Sequence, residues 1–192
     1  YSIINNGWDE FTFYCPEEYE NCINDVKNIK NISSQEILLT EINNYANPFN
    51  SFTTVHTTYD ETGEINVNLT KVYTKEQIKE INALLDKIIE QNINDNMTLE
   101  EKITSLHDYI INNTQYDIEK NNTGISNYES NTAYGTLTSH YATCNGYADT
   151  MALLLDRLGV KTTSDDDSDK KTNKTTKLSH CIRQSYLECR IY

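Results

Sequence analysis

The sequence predicts an α+β fold, in which a helical region with a central cysteine-bearing helix follows a small α/β region that contains a β-hairpin. Three observations carry this prediction. Apolar residues recur at helical spacing in three segments after residue 74. Before residue 74, two short segments lie on either side of a turn, as in a hairpin. Residues 148–158 are predicted to form a helix with apolar side chains on most sides, which is typical of a buried helix.

The composition bounds the class of protein. A chain of 192 residues can form one sizeable domain, or a core domain with a smaller attachment. The balance of 16 basic against 29 acidic residues argues against nucleic acid and anionic membrane surfaces as partners. No run approaches the roughly 18 apolar residues of a membrane span. The five cysteines show neither a C-x-x-C pair nor zinc-type spacing, so we expect no metal and no cofactor.

Residues 1–73 are predicted to form the small α/β region. Aromatic side chains cluster over residues 8–14, and a short helical pattern follows around Tyr19, Cys22, Ile23 and Val26. A second amphipathic helix is predicted from residue 34 to residue 45. It ends at Asn47-Pro48, because the residue before a proline avoids helical geometry.

A β-hairpin is predicted from residues 52–59 and 64–73, with its turn at residues 60–63. The second strand carries the alternation of apolar and polar residues, with the apolar positions at Ile65, Val67 and Leu69. This alternation indicates one buried and one exposed face.

Cys15 and Cys22 leave two alternatives open. In an exported protein they could form a disulfide, whereas in a reducing compartment two nearby thiols stay free. The sequence alone favours the free thiols.

Two amphipathic helices are predicted after the hairpin. The first opens at a capping box of Thr74 and Gln77, and its apolar stripe consists of Ile78, Ile81, Leu85, Ile88 and Ile89. The second opens at a capping box of Thr98 and Glu101, and its stripe consists of Leu99, Ile103, Leu106 and Ile110. The short link predicts that the two helices pair antiparallel.

Two polar stretches flank the last predicted helix. Residues 111–132 are rich in Asn and are predicted to form a surface loop. Residues 161–177 contain no apolar side chain and are predicted to be solvated or disordered. The acidic run at 165–169 lacks the glycine and the distal Glu of a calcium-binding loop, so a linker is the favoured interpretation.

Cys144 stands at the start of the apolar helix, which Gly159 is expected to end. A thiol at a helix N-terminus meets unpaired N–H groups and the positive end of the helix dipole, and both favour the nucleophilic thiolate form. A lone cysteine is more often a small buried apolar residue. The residues around Cys144 therefore decide between the two interpretations.

The segment over residues 131–159 carries a recognisable pattern: Ala133-Tyr134-Gly135, then Cys144-Asn145-Gly146-Tyr147-Ala148, and finally Leu158-Gly159. It resembles the nucleophile segment of the bacterial transglutaminase-like superfamily, whose pattern is A-Y-G, a short spacer, C-x-G-Y-A and a helix ending in L-G. The preceding helix, LEEKITSLHDYIINNTQYD, is also similar to its counterpart in the family. The resemblance covers residues 74 to 160.

The resemblance implies a papain-like fold whose chemistry uses a Cys, a His and an Asp. The cysteine attacks an amide carbonyl to form a thioester, and water or an amine then takes the acyl group. The implied nucleophile is Cys144, and the implied general base is His180, which is the only histidine downstream. The implied activity is that of a cysteine hydrolase or acyltransferase acting on a protein or peptide substrate.

The chain departs from the family pattern after Val160. In the family the histidine stands in an H-x-W-N context and an Asp follows, whereas His180 precedes Cys181-Ile182-Arg183 and no Asp follows residue 169. We therefore expect a transglutaminase-like domain over residues 74–192 whose C-terminal end and β-sheet are incomplete, through truncation or a reading-frame change. The rival hypothesis is a catalytically inactive surface or interaction module that retains the fold.

The remaining polar candidates are weaker. His140 could line the site, but a histidine near a helix start is more often incidental. His107 is predicted at the edge of the core, and His56 is predicted to face solvent. The polar edge of the cysteine-bearing helix is assigned to Asp149, Asp156 and Arg157.

We expect the protein to be secreted or to lie at the cell surface. The chain begins at Tyr1 without Met, as it would after removal of a signal peptide, although a chosen boundary would produce the same start. Frequent Asn, Ile, Lys and Tyr, which have A/T-rich codons, indicate a bacterium with a low-GC genome.

Overall fold

The computed structural model describes residues 6–32 and 46–160. The chain divides into two compact units, Tyr1–Thr74 and Lys75–Tyr192. Three features of the sequence lie outside the described residues: the helix predicted at 34–45, the polar stretch at 161–177, and His180.

The N-terminal unit contains a three-stranded antiparallel sheet and a helix. Strand β1 (Glu10–Tyr14) precedes helix α1 (Cys22–Ile32), and a 3-10 turn leads into β2 (Phe52–Tyr59) and β3 (Glu64–Lys71). The strand order is β1-β3-β2, so the hairpin of β2 and β3 is extended by β1 on the β3 side. The predicted hairpin is therefore confirmed.

The core of the N-terminal unit lies between the sheet and α1. Its buried residues are Cys22, Val26, Ile65 and Val67, and Phe11 packs against them from β1. Tyr19 does not belong to the helix, because it precedes α1 and is 49 % exposed. Strand β1 is not predicted by the local pattern, since it is defined by its pairing with the distant β3.

Cys15 and Cys22 form a disulfide, which is the alternative that the sequence favours less. Their Cα atoms are 5.8 Å apart, so the bond links the end of the β1 segment to the first residue of α1. The Cys15 N–H also donates to the Gly63 carbonyl at 2.9 Å. The covalent bond thus holds α1 against the sheet at the hairpin turn.

The C-terminal unit is mostly helical. Its elements, in chain order, are α2 (Lys75–Asn92), α3 (Leu99–Asn113), β4 (Gln115–Tyr116), α4 (Ile118–Thr123), α5 (Ala133–Ser139), β5 (Tyr141–Ala142) and α6 (Cys144–Arg157). The two short strands pair in parallel. The prediction of a plain surface loop over residues 111–132 is wrong, because this segment contains β4 and α4 and buries two polar side chains.

Helices α2 and α3 pack against each other. The capping box at Thr98 is confirmed. The Thr98 N–H and hydroxyl both donate to the Glu101 carboxylate, and these hydrogen bonds, the N–H bond most, hold the pKa of Glu101 below its usual value. The Ser105 hydroxyl donates to the Asn92 carbonyl at 3.0 Å, which brings α3 back against the end of α2. Leu99 is predicted in the buried stripe of α3, but it is 44 % exposed, so this part of the prediction is wrong. The buried residues are Ile81, Leu85, Ile88, Ile103, Leu106 and Ile110.

Helix α6 is buried on most sides, as predicted. Gly159 follows it at φ +74, and its N–H donates to the Asp156 carbonyl at 2.9 Å, so the glycine takes the left-handed conformation of a helix stop. Near this end Arg157 binds Asp86 and Asn82 of α2. The buried side chains of α6 are Ala148, Thr150, Met151, Ala152, Leu153, Leu154 and Leu155.

Candidate active site

Cys144 is the first residue of α6 and is half-buried. Within the described part of the chain it is the one cysteine outside a disulfide. Its Sγ lies 3.9 Å from Oδ1 of the neighbouring Asn145. The thiol therefore stands at the end of a buried helix but keeps access to solvent.

Thr143 occupies the N-cap position of α6, yet its side chain does not cap the helix. Its hydroxyl donates instead to Asn131 Oδ1 at 2.8 Å, and its N–H donates to the Ser130 carbonyl at 2.8 Å. The residue before Cys144 is thus tied to the segment at 126–131, called here the 126–131 loop. The Thr143 hydroxyl leaves the N–H groups in the first turn of α6 uncovered.

The two glycines of the cysteine segment allow backbone contact around this loop. A Cβ atom on Gly146 would lie 2.3 Å from the Ser130 carbonyl oxygen and 2.6 Å from Thr136 Oγ1. A Cβ atom on Gly135 would lie 2.1 Å from the Tyr128 carbonyl oxygen. Only glycine fits at either position, because side chains do not approach backbone oxygens so closely. The glycines of the A-Y-G and C-x-G-Y-A patterns therefore bring α5 and α6 against the 126–131 loop.

The pairing of β4 with β5 fixes the segment that precedes Cys144. Tyr116 lies opposite Ala142, and the Asp117 N–H donates to the Ala142 carbonyl at 2.9 Å. From α6, the Tyr147 hydroxyl donates to the Thr114 carbonyl at 2.9 Å, and burial raises the pKa of Tyr147. The segments before and after Cys144 are thus both bonded to the end of α3 and the strand that follows it.

Asp117 is a buried carboxylate beside this ladder, with an exposed fraction of 3 %. Burial alone raises the pKa of a carboxyl, but hydrogen bonds from Ser126, Ser130 and the Lys120 N–H outweigh burial and hold the pKa of Asp117 below its usual value. Sequence reasoning missed Asp117 and Ser130. A usable signal was present, since Asp is a favoured N-cap residue and Asp117 stands directly before α4.

Two aromatic rings stack beside the segment that enters α6. The rings of Tyr128 and Tyr141 are 4.1 Å apart between centroids and are inclined by 10°. Tyr141 lies in β5, and Tyr128 lies in the 126–131 loop. The stack therefore gives the 126–131 loop and the segment before Cys144 a side-chain contact as well as the hydrogen bond between Ser130 and Thr143.

The three candidate histidines upstream of Cys144 lie within the described residues. His140 is exposed and adopts a left-handed conformation at φ 59, where it ends α5. His107 contacts Asp108 with its Nδ1 atom at 3.1 Å, and its side chain is 40 % exposed. His56 is exposed on β2, as predicted. His180, the base implied by the resemblance, lies outside the described residues.

The described residues contain neither a metal-binding cluster nor a helix that could span a membrane. In residues 6–32 and 46–160, no group of three or more His, Cys, Asp or Glu side chains could hold a metal ion. None of the helices in these two ranges is long and apolar enough to cross a membrane.

Comparison with known proteins identifies the family. The family model of the transglutaminase-like superfamily matches residues 86–189, which is more than half of the chain. A search of solved structures finds the "Crystal structure of a TGase" at 18% sequence identity and a TM-score of 0.39, covering 55% of this chain and 35% of that chain. This chain therefore spans about a third of the length of that one. A search of curated proteins finds no match. The matched family model includes α3, the whole of α6 and Cys144, and the chain belongs to the transglutaminase-like superfamily.

Proposed function

We propose that this protein is a cysteine hydrolase or acyltransferase that acts on amide bonds of protein or peptide substrates. The observation that carries the proposal is the position of Cys144, half-buried at the first residue of a buried helix. Unpaired N–H groups and the helix dipole stabilise negative charge at such a position. Membership of the transglutaminase-like superfamily supports the same chemistry.

The reaction proceeds through a thioester. The Cys144 sulfur attacks the amide carbonyl carbon, and the carbonyl oxygen becomes an oxyanion that the uncovered N–H groups of α6 can stabilise. The C–N bond then breaks, and the leaving nitrogen takes a proton. His180 is the proposed general base, which accepts the thiol proton and returns it to that nitrogen. Water or an amine next attacks the thioester and releases Cys144.

The protein is further proposed to be secreted or to lie at the cell surface. The Cys15–Cys22 disulfide supports this location, because disulfides persist in oxidising environments and are rare in the cytosol. The location also gives the proposed enzyme access to protein or peptide substrates outside the cell.

The proposed activity can be tested with a glutamine-rich protein such as casein and a fluorescent primary amine. Three readouts cover the outcomes: amine incorporation for acyl transfer, ammonia release for side-chain hydrolysis, and new N-termini for peptide cleavage. A Cys144→Ala variant is expected to lose at least about a thousandfold in rate, because the thioester cannot form. His180→Ala is expected to lose a comparable factor.

A Cys189→Ala variant serves as the matched control, since it removes a thiol for which no role is proposed. It should retain the wild-type rate. Wild-type protein that is inactive in all three readouts would favour the rival interpretation, a surface or interaction module without catalysis. Activity that survives in Cys144→Ala would show that another group carries the reaction.

A further inference from the structure

Asp117 is a buried charged group that the proposed reaction does not use. Asp117 is 3 % exposed as a residue and stands between β4 and α4. A buried carboxylate is unfavourable unless hydrogen bonds replace the lost water. The hydrogen bonds that Asp117 accepts therefore indicate which part of the fold it stabilises.

The carboxylate binds the beginning of the 126–131 loop. Oδ1 accepts the Lys120 N–H at 2.9 Å, and Oδ2 accepts the Ser126 hydroxyl at 2.5 Å. The Ser126 oxygen in turn accepts the Tyr128 N–H at 3.1 Å and the Ser130 hydroxyl at 3.0 Å. Hydrogen bonds to an ionised acceptor are stronger than neutral ones, so the charge holds both serines in place.

The same loop binds the residue before Cys144. Ser130 is fully buried, and its carbonyl accepts the Thr143 N–H at 2.8 Å. Ser130 is thus linked through its side chain to Ser126 and Asp117, and through its carbonyl to the residue that precedes α6. A second connection runs through the backbone, because the Asp117 N–H donates to the Ala142 carbonyl at 2.9 Å.

We infer that Asp117 is a positioning residue, which holds the Ser130 carbonyl against Thr143 and thereby fixes Cys144 at the start of α6. The inference rests on the proposed role of Cys144 as nucleophile. Asp117 acts through Ser126 and Ser130 and does not touch the substrate. Without its charge Ser126 loses its acceptor and no longer holds the Ser130 hydroxyl, the Ser130 carbonyl shifts, and the thiol is displaced from its reacting position.

The test compares Asp117→Ala and Asp117→Asn with Glu119→Gln, which removes the same charge from an exposed position two residues away. Amide hydrogen exchange of Thr143 is measured together with kcat and KM for the acyl transfer described above. In Asp117→Ala we expect Thr143 to exchange at least about tenfold faster, while the Leu85 and Leu106 amides keep their protection. We expect kcat to fall by about tenfold to a hundredfold at unchanged KM, because small displacements of a nucleophile have effects of this size.

Asp117→Asn is expected to lie between Asp117→Ala and wild type, since one amide oxygen can replace only part of the carboxylate. Glu119→Gln should match wild type in both readouts. Unchanged Thr143 exchange in both Asp117 variants would overturn the inference, and so would faster exchange of equal size in all three amides, which indicates a purely structural role. Wild-type protein that is inactive in amine incorporation, ammonia release and peptide cleavage would defeat the proposed function, whereas Thr143 exchange would still decide whether Asp117 fixes the start of α6.

Discussion

A Gly146→Ala variant is expected to lose most of the stability of the C-terminal unit, although alanine is the better helix residue. In an ordinary helix interior this exchange stabilises by about 0.5–1 kcal/mol, because glycine loses more backbone entropy on folding. Here the new Cβ would lie 2.3 Å from the Ser130 carbonyl oxygen. That carbonyl accepts the Thr143 N–H, so it cannot move without breaking the hydrogen bond that holds the residue before α6. We expect a loss of about 3 kcal/mol or more.

Urea unfolding followed by far-UV circular dichroism measures this loss, because the C-terminal unit supplies most of the described helix. Gly124→Ala is the matched control, since no atom lies within 4 Å of its Cβ position and its φ is +77. Only the left-handed backbone opposes that change, at a cost of about 1–2 kcal/mol. A Gly146→Ala variant as stable as wild type, or less affected than Gly124→Ala, would contradict the close contact between α6 and Ser130.

Removal of the Cys15–Cys22 disulfide is expected to destabilise the N-terminal unit by about 2.5 kcal/mol, the value expected for a short closed loop. The described core cluster that contains Cys22 is small, with Cys22, Val26, Ile65 and Val67 as its buried residues. A small core leaves little stability in reserve, so the covalent link between β1 and α1 has a large relative effect. A Cys15→Ala/Cys22→Ala double variant is compared with wild type.

Trp8 provides a local probe for this experiment, because it is the only tryptophan and lies in the N-terminal unit. Its fluorescence in urea should show a lower midpoint in the double variant and in wild type treated with dithiothreitol. A Cys144→Ala variant controls for loss of a thiol elsewhere and should keep the wild-type midpoint. Equal midpoints with and without reductant would show that the disulfide does not stabilise this unit.

Local sequence patterns predicted the elements whose signal lies within a few neighbouring residues. The hairpin of β2 and β3, the capping box at Thr98 and the buried helix α6 are of this kind. Each depends on alternation, helical spacing or a pair of capping residues. The left-handed Gly159 after α6 follows from the same local rules.

The elements that the sequence missed depend on distant partners. β1 is a strand because it pairs with β3, and the two-residue strands β4 and β5 are too short to show any alternation. Asp117 and Ser130 lie in an Asn-rich segment whose composition is typical of a solvent-exposed loop. Their burial depends on the hydrogen bond from Ser126 to Asp117 and on the one from the Thr143 N–H to the Ser130 carbonyl, which composition does not reveal. The glycines at 135 and 146 were recognised only as part of a family pattern, whereas their physical cause is backbone contact.

The candidate site likewise contains one part that local sequence patterns predict and another that depends on distant contacts. Cys144 was predicted from its place before an apolar helix and from the family pattern, and it lies at the first residue of α6. The loop that holds Thr143 was not predicted, since its contacts join segments that are far apart in the sequence. His180 remains a prediction from the family resemblance.

The most direct measurement of Cys144 chemistry is mass spectrometry of the acyl-enzyme. Wild-type protein is mixed with an activated ester such as p-nitrophenyl acetate, quenched in acid and digested. The peptide that carries Cys144 should gain one acyl group in step with the release of p-nitrophenolate, and Cys144→Ala should show neither event. An acyl group found on another residue, or a release of p-nitrophenolate that persists in Cys144→Ala, would contradict the assignment of Cys144 as the nucleophile.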